Sequence, residues 1–275
     1  MYIGVDVGGT KVLVAVLNEQ GVITERNKFP TPEEYLVFLK DLQGVANQFK
    51  AKEFKGGAVG ITGRIDREHG IAIKSGNLAW RNSPIRDDLE KMFNCPIAIE
   101  NDAKMAALSE AMLLKDRYKK VLYVTISTGI GVGLVVNGVI DTNLADPGGK
   151  SIMVEHNNQT IGWEEIASGR AIVETYGKRA SDITDEATWK AICHDLAKGF
   201  VHLIAILEPE VIVIGGSVGT YFDRYGELLK TEIKKYEIPL IKMPALIEAQ
   251  RPEEAVVYGC YDLAKQTFPH AKTHK

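Results

Sequence analysis

Six residues, DVGGTK at 6–11, set a carboxylate (Asp6), two glycines (Gly8, Gly9), a hydroxyl (Thr10) and an ammonium (Lys11) at one bend between two apolar runs. Glycines at such a bend let an oxyanion approach the backbone N–H groups closely, because no Cβ stands in the way. Two more turns of this kind follow apolar runs: STGIG at 127–131, with Thr128, Gly129 and Gly131, and VIVIGGS at 211–217, with Gly215 and Gly216. One glycine turn is ordinary punctuation. Three, each directly after a strand-like run, point to phosphate. The first lacks both the G-x-G-x-x-G spacing and the following helix of a dinucleotide fingerprint, and GGTK lacks the four-residue spacer of a Walker loop. A fourth stretch, ENDAKMAALSE at 100–110, sets Asn101 and Asp102 at the start of a run with strong helix propensity. By itself Asp102 reads as a helix N-cap, where a carboxylate is favoured as an anion.

The elements that must carry these residues alternate. Residues 2–6 and 11–17 are β-branched apolar runs, NEQG turns the chain, and VITERNKF alternates like a half-exposed strand. A helical face follows over 32–50 through Tyr35, Phe38, Leu39, Leu42, Ala46 and Phe49. Then come a buried strand at 56–63, a short helix at 86–93, a strand at 96–100 and a helix at 102–113. At residue 120 the opening order of strand, glycine turn, strand and turn returns, which predicts two lobes on one plan. Residues 145–162 read as loop, 163–180 as a helix kinked at Gly169, 184–208 as a long helix, and 252–268 as a terminal helix. Alternating sheet and helix place the chain in the α/β class.

The 275 residues suffice for about two domains. A composition of 45% hydrophobic and 25% charged residues is that of an ordinary globular protein. A net charge of −3 speaks against a broad nucleic-acid footprint. Cys95, Cys193 and Cys260 are odd in number and far apart, which predicts buried thiols in a reducing compartment rather than a disulfide framework. No apolar run is long enough to span a bilayer, and the opening MYIGVDV reads as a strand rather than a leader, so the expected location is the cytoplasm.

In order and in wording, DVGGTK, ENDAKMAALSE, STGIGVG (127–133), EEIASG (164–169) and PEVIVIGGSV (209–218) resemble the ROK family of sugar kinases, over nearly the whole chain. ITGRID (61–66) and NLAW (77–80) resemble that family's sugar-side loops. The resemblance implies the two-lobed actin-like ATPase (ribonuclease H-like) fold with an inter-lobe cleft. Residues 1–112 plus 255–275 would form the small lobe and 113–254 the large one. It implies ATP-dependent phosphorylation of a hexose, with glucose as the default acceptor and its 6-hydroxyl as the site. The roles it implies are specific. Asp102 would act as general base, and Gly63, Asn77, Asn101, Asp102 and Glu164 would hold the sugar. Gly8, Gly9, Thr10, Lys11, Thr128, Gly129, Gly131, Gly215 and Gly216 would hold ATP, and Asp6 would hold Mg²⁺ through water. A homodimer is also implied, while the net charge predicts no nucleic-acid partner and the absence of a long apolar run no membrane partner. A low-turnover sugar- or nucleotide-binding protein of the same fold, and a transcriptional regulator, stand as alternatives. The regulators carry an N-terminal helix-turn-helix, whereas this chain begins on the phosphate strand.

The sugar side departs from the family pattern. Family members carry a Gly-Glu-x-Gly-His stretch and a cysteine-rich loop that together bind a structural zinc. Here that stretch is PGGKSIMVEHNNQTIGWEE (147–165), without cysteine. A zinc site needs about four N or S ligands in tetrahedral reach, and the loop offers only His156. Glu155 and His156 sit several residues late relative to the family's Glu and His. A short turn at HNNQ is expected to replace the metal-pinned loop, with Trp163 packed beneath it. Glu164 is then left as the main acidic sugar contact.

Overall fold

A computed structural model describes residues 1–75, 77–236 and 240–269. The chain divides into two compact units, Met1–Ser109 with the stretch from Glu254 onward, and Glu110–Glu253. Residues 270–275 of the segment expected in the small lobe lie outside the described residues.

In the first unit, β1 (Tyr2–Val7), β2 (Lys11–Leu17) and β3 (Ile23–Pro30) form an antiparallel meander. After α1 (Tyr35–Gln48), β4 (Gly56–Ile61) joins β1 in parallel. A separate antiparallel sheet follows, made of β5 (Arg64–Asp66), β6 (Ile71–Lys74) and β7 (Arg81–Ser83). Next come α2 (Ile85–Phe93), β8 (Ile97–Asn101) parallel to β4, and α3 (Asp102–Leu114), which runs on across the unit boundary. The five-stranded order is β3-β2-β1-β4-β8.

The second unit repeats this plan. β9 (Lys120–Ile126), β10 (Ile130–Val136) and β11 (Val139–Ile140) form the meander. A 3₁₀ turn (Gly148–Ser151) and a hairpin of β12 (Met153–His156) and β13 (Gln159–Gly162) lead to α4 (Trp163–Ala167), α5 (Gly169–Tyr176) and α6 (Glu186–Leu207). β14 (Val211–Gly215) enters in parallel beside β9, followed by α7 (Gly216–Gly219), α8 (Phe222–Lys234) and β15 (Ala245–Glu248). The order β11-β10-β9-β14-β15 matches that of the first sheet strand for strand. The chain then returns to the first unit as α9 (Ala255–Thr267).

Apolar side chains cover both faces of the first sheet. Val5, Val7, Val12 and Val14 pack with Phe38, Leu42 and Leu89, while Tyr2, Leu13, Ala15 and Ala58 pack with Met105, Val257 and Cys260. In the second unit, Leu122, Val124, Ile212 and Ile214 meet Trp189, Phe200, Tyr225 and Leu229. Burial of this kind supplies most of the stability that holds the turns in place. All three cysteines are buried free thiols, as the sequence suggests. No described helix is long and apolar enough to cross a membrane.

Three expectations are corrected. The 163–180 segment is two helices rather than one kinked helix. Ser168 is extended (φ −74°, ψ 163°) and its hydroxyl accepts from the Ala171 N–H at 3.2 Å, capping a fresh helix that ends at Gly177. A capping serine inside a helical apolar pattern thus restarts the helix. The long helix begins at Glu186, capped by Asp185, whose side chain accepts from the Thr188 N–H at 2.9 Å. Within 145–162, the part read as loop contains the β12–β13 hairpin. Its turn is Asn157–Asn158, with φ of 52° and 61°, the doubly left-handed pair that a two-residue hairpin turn needs.

Candidate functional site

The expected residues fall into two sets, one in each unit. In the first unit, the Gly8 N–H donates to the Lys11 carbonyl at 3.1 Å and closes the β1–β2 hairpin. The Gly8 N–H, expected to face phosphate, is thus engaged within the hairpin. Thr31 reinforces the bend: its hydroxyl donates to the Gly8 carbonyl at 2.7 Å and its N–H to the Thr10 carbonyl at 3.1 Å. Only glycine fits at position 9, where a Cβ would come within 2.6 Å of the Asn77 Cβ. The hairpin and the NLAW loop are therefore in contact. Thr10 and Lys11 are exposed at the tip.

Asp6 lies at the end of β1, half-buried. Burial, and next the charge of Asp102, push its carboxyl up to about 7, against the pull of Lys11 and Lys28. The two carboxylates thus face a common region of this unit. Asp102 opens α3 directly after β8, and its Oδ1 accepts from the Ala103 N–H at 2.8 Å. The helix cap, however, is Asn101. Its Oδ1 accepts from Ala103 at 3.0 Å and Lys104 at 3.4 Å, and its Nδ2 donates to the Gly63 carbonyl at 3.1 Å. The predicted sugar residues Gly63 and Asn101 are therefore joined to each other. Asn77 is exposed, with its backbone N–H on the Ser75 hydroxyl at 3.1 Å.

In the second unit, STGIG is the β9–β10 turn. The Ser127 N–H donates to the Gly129 carbonyl at 2.8 Å, and the Gly169 N–H to the Ser127 carbonyl at 2.6 Å. Thr128 is exposed at the tip, and Gly131 lies against Gly148. Gly215 caps α7, and Gly216 packs on the end of β9 at Thr125 and Ile126. The glycines of two motifs 84 residues or more apart are brought together at the same end of the parallel β9–β14 pair.

Glu164, expected to hold the sugar, stands in α4. It is buried, and its Oε2 accepts from the Ile130 N–H at 2.8 Å, directly beneath Gly129. A Cβ on Gly129 would lie 2.5 Å from that oxygen. The other oxygen lies 3.4 Å from Lys150 Nζ and 3.8 Å from Arg170 NH2. Glu164→Ala is therefore expected to raise the KM for nucleotide as well as for sugar, each by about tenfold, since a buried N–H loses its acceptor. Steady-state kinetics with each substrate varied separately checks this, and a rise confined to sugar would contradict the brace.

The region matching the family's zinc loop is held by other means. His156 lies 3.4 Å from Asp195 and 3.2 Å from Lys198 on α6, so it is part of a polar cluster rather than a lone surface histidine. Trp163 is fully buried against Gly199, edge-on to Phe200 at 5.4 Å, and donates from Nε1 to the Asp195 carbonyl at 3.1 Å. The expected turn at HNNQ is the Asn157–Asn158 turn. Among the described residues, no group of three or more His, Cys, Asp or Glu could hold a metal ion. Protein purified without added metal is expected to contain no stoichiometric zinc, read by elemental analysis; one zinc per chain, with activity lost on chelation and restored by zinc, would contradict this.

Sequence reasoning missed Thr31, Lys150, Arg67 and Arg170. None lies in a motif of its own; Arg170 directly follows EEIASG, but its type alone assigns no role.

The ROK family model matches residues 2–267. An N-acetyl-D-glucosamine kinase of Vibrio atlanticus is 30% identical over 298 residues, 94% of this chain and 98% of that protein. A protein named putative fructokinase of Bacillus subtilis is 29% identical over 234 residues, 78% of this chain and 76% of its own. A ROK glucokinase of Streptomyces griseus, solved with glucose and AMPPNP, superposes with a TM-score of 0.79 at 23% identity, covering 96% of this chain and 99% of that one. Its fold, the two-lobed actin-like ATPase fold, is the fold of this chain.

Proposed function

Because the chain belongs to the ROK family, we propose that it transfers the terminal phosphoryl group of ATP to a hydroxyl of a hexose, with glucose and its 6-hydroxyl as the default acceptor. Family membership and the sugar kinases among its relatives support the class of reaction. The observation that carries the proposal is the junction of β8 and α3, where Asp102 stands on a helix start already capped by Asn101.

Phosphoryl transfer asks the protein mainly for positioning and charge neutralisation. Asp102 takes the proton from the attacking hydroxyl, which is a poor nucleophile until that proton has an acceptor. Asn101, pinned to Gly63, aligns the acceptor sugar beside it. In the first unit, Gly9 and Thr10 of the hairpin present backbone amides suited to phosphate, with Lys11 adding a cation; in the second unit, Thr128 and Gly129 present amides of the same kind. Gly131, Gly215 and Gly216 keep the second turn open on the nucleotide side. Asp6 fits a divalent cation, because a carboxylate pushed up by burial and by a second carboxylate is relieved by a positive ion. Mg²⁺ held there would neutralise the phosphates. An assay of ADP formation with aldohexoses, ketohexoses and N-acetylhexosamines tests the reading. Sugar-dependent ADP supports it; ATP binding without any sugar-dependent turnover would favour the low-turnover binding protein.

A further inference from the structure

We propose that Arg67 is a positioning residue for the β8–α3 junction: its guanidinium clamps Glu100, and Glu100 fixes the backbone that presents Asn101 and Asp102. The inference rests on the kinase reading above and goes beyond it, to a residue outside every motif.

Arg67 lies in the turn between β5 and β6, and Glu100 is 33 positions away on β8. Nε of Arg67 donates to Oε2 of Glu100 at 2.8 Å, and NH2 donates to Oε1 at 2.5 Å. The pair is bidentate, the geometry in which a guanidinium orients a carboxylate as well as neutralising it. The Glu100 side chain is only 4% exposed, so its charge has no recourse to bulk water. Its Oε1 also accepts the Asn101 N–H at 2.6 Å. One carboxylate therefore joins the Arg67 fork to the peptide that carries the capping Asn101 and precedes Asp102.

The turn that holds Arg67 is itself tied down. Arg86, near the start of α2, donates from NH1 to the carbonyls of Arg67 and Glu68 at 3.3 and 3.1 Å, and its N–H donates to the Gly70 carbonyl at 3.2 Å. A second strut, from the Asn101 Nδ2 to the Gly63 carbonyl, reaches the junction from just before β5. The small β5–β7 sheet thus grips the junction at two points, and the first turn of α3 is aimed from outside its own helix.

Removing the guanidinium leaves a buried carboxylate without compensation. Glu100 must then turn toward water and release the Asn101 N–H. Arg67→Met is expected to lower kcat by about 10- to 100-fold, as small misplacements of a reacting group do, with the KM for ATP changed less than about threefold. Amide exchange at 101–104 is expected to speed up by about tenfold or more as the junction opens locally. Arg67→Lys keeps the charge without the fork and is expected to fall between wild type and Arg67→Met in both readouts. The double variant Arg67→Met/Glu100→Gln decides the matter. It removes both charges yet keeps a carbonyl oxygen for the Asn101 N–H, so kcat is expected to recover to within about fivefold of wild type and exchange to slow again. The idea is overturned if Arg67→Met leaves kcat and exchange within about twofold of wild type. It is equally overturned if the double variant recovers neither. Should Arg67→Met not fold, Arg67→Lys and the double variant carry both readouts. A wild-type protein that phosphorylates no sugar would remove the kinase reading, while exchange at 101–104 would still decide the role of Arg67.

Discussion

Asp102→Asn lowers turnover by about 10²- to 10⁴-fold in this account, with the KM for ATP nearly unchanged and the fold intact. The fold survives because Asn101 carries the helix cap, through its contacts to Ala103 and Lys104. The bond that Asp102 Oδ1 accepts from the Ala103 N–H can be remade by an amide oxygen. What an amide cannot do is accept the proton of the attacking hydroxyl. Kinetics at saturating sugar, with thermal melts of both proteins, separates the two effects. Turnover within a fewfold of wild type would remove Asp102 from the chemistry.

Asp6→Asn produces opposite changes in stability and activity. The folded-state carboxyl of Asp6 sits at about 7 against an ordinary value of 3.8. Between those values the folded protein holds a proton that the unfolded chain has lost. The contribution is full below about 4 and is lost as pH rises through about 7. In the absence of nucleotide and Mg²⁺, Asp6→Asn should therefore gain about 2–3 kcal/mol relative to wild type between pH 5 and pH 8. Turnover should fall by about 10²-fold or more, since the charge that would hold the metal is gone. Denaturant melts at the two pH values read the first effect and steady-state kinetics the second. A stability difference that does not change with pH would show that Asp6 ionises normally.

Much of this site was legible because its residues are local. Asp6 through Lys11 are contiguous, and the β-branched runs on either side pair in register up to Val7 and Val12, across the four residues 8–11. Asn101 and Asp102 were legible as a helix start, although which of them caps was not. Both are good cap residues, and the choice depends on Gly63, which is distant in sequence. The Arg67–Glu100 pair left no trace, because its two halves approach only once β5–β7 has folded beside β8, and strands as short as Arg64–Asp66 and Arg81–Ser83 carry too few residues to show alternation. Glu164 was recognised as special, but its bond to Ile130 depends on how α4 sits beneath the β9–β10 turn. The Asn157–Asn158 turn was half visible: the polar run predicted a turn, while the left-handed pair that makes it a hairpin emerged only with the strands on either side.

The most direct measurement of the central claim follows the phosphoryl group itself. Wild-type protein and Asp102→Asn are incubated with ATP, Mg²⁺ and each hexose, and the phosphorus signals are read by nuclear magnetic resonance. For at least one hexose, a sugar-phosphate signal is expected to grow in step with ADP in the wild-type protein and to be all but absent in the variant. ADP with inorganic phosphate and no phosphorylated sugar, or equal sugar-phosphate from both proteins, would contradict it.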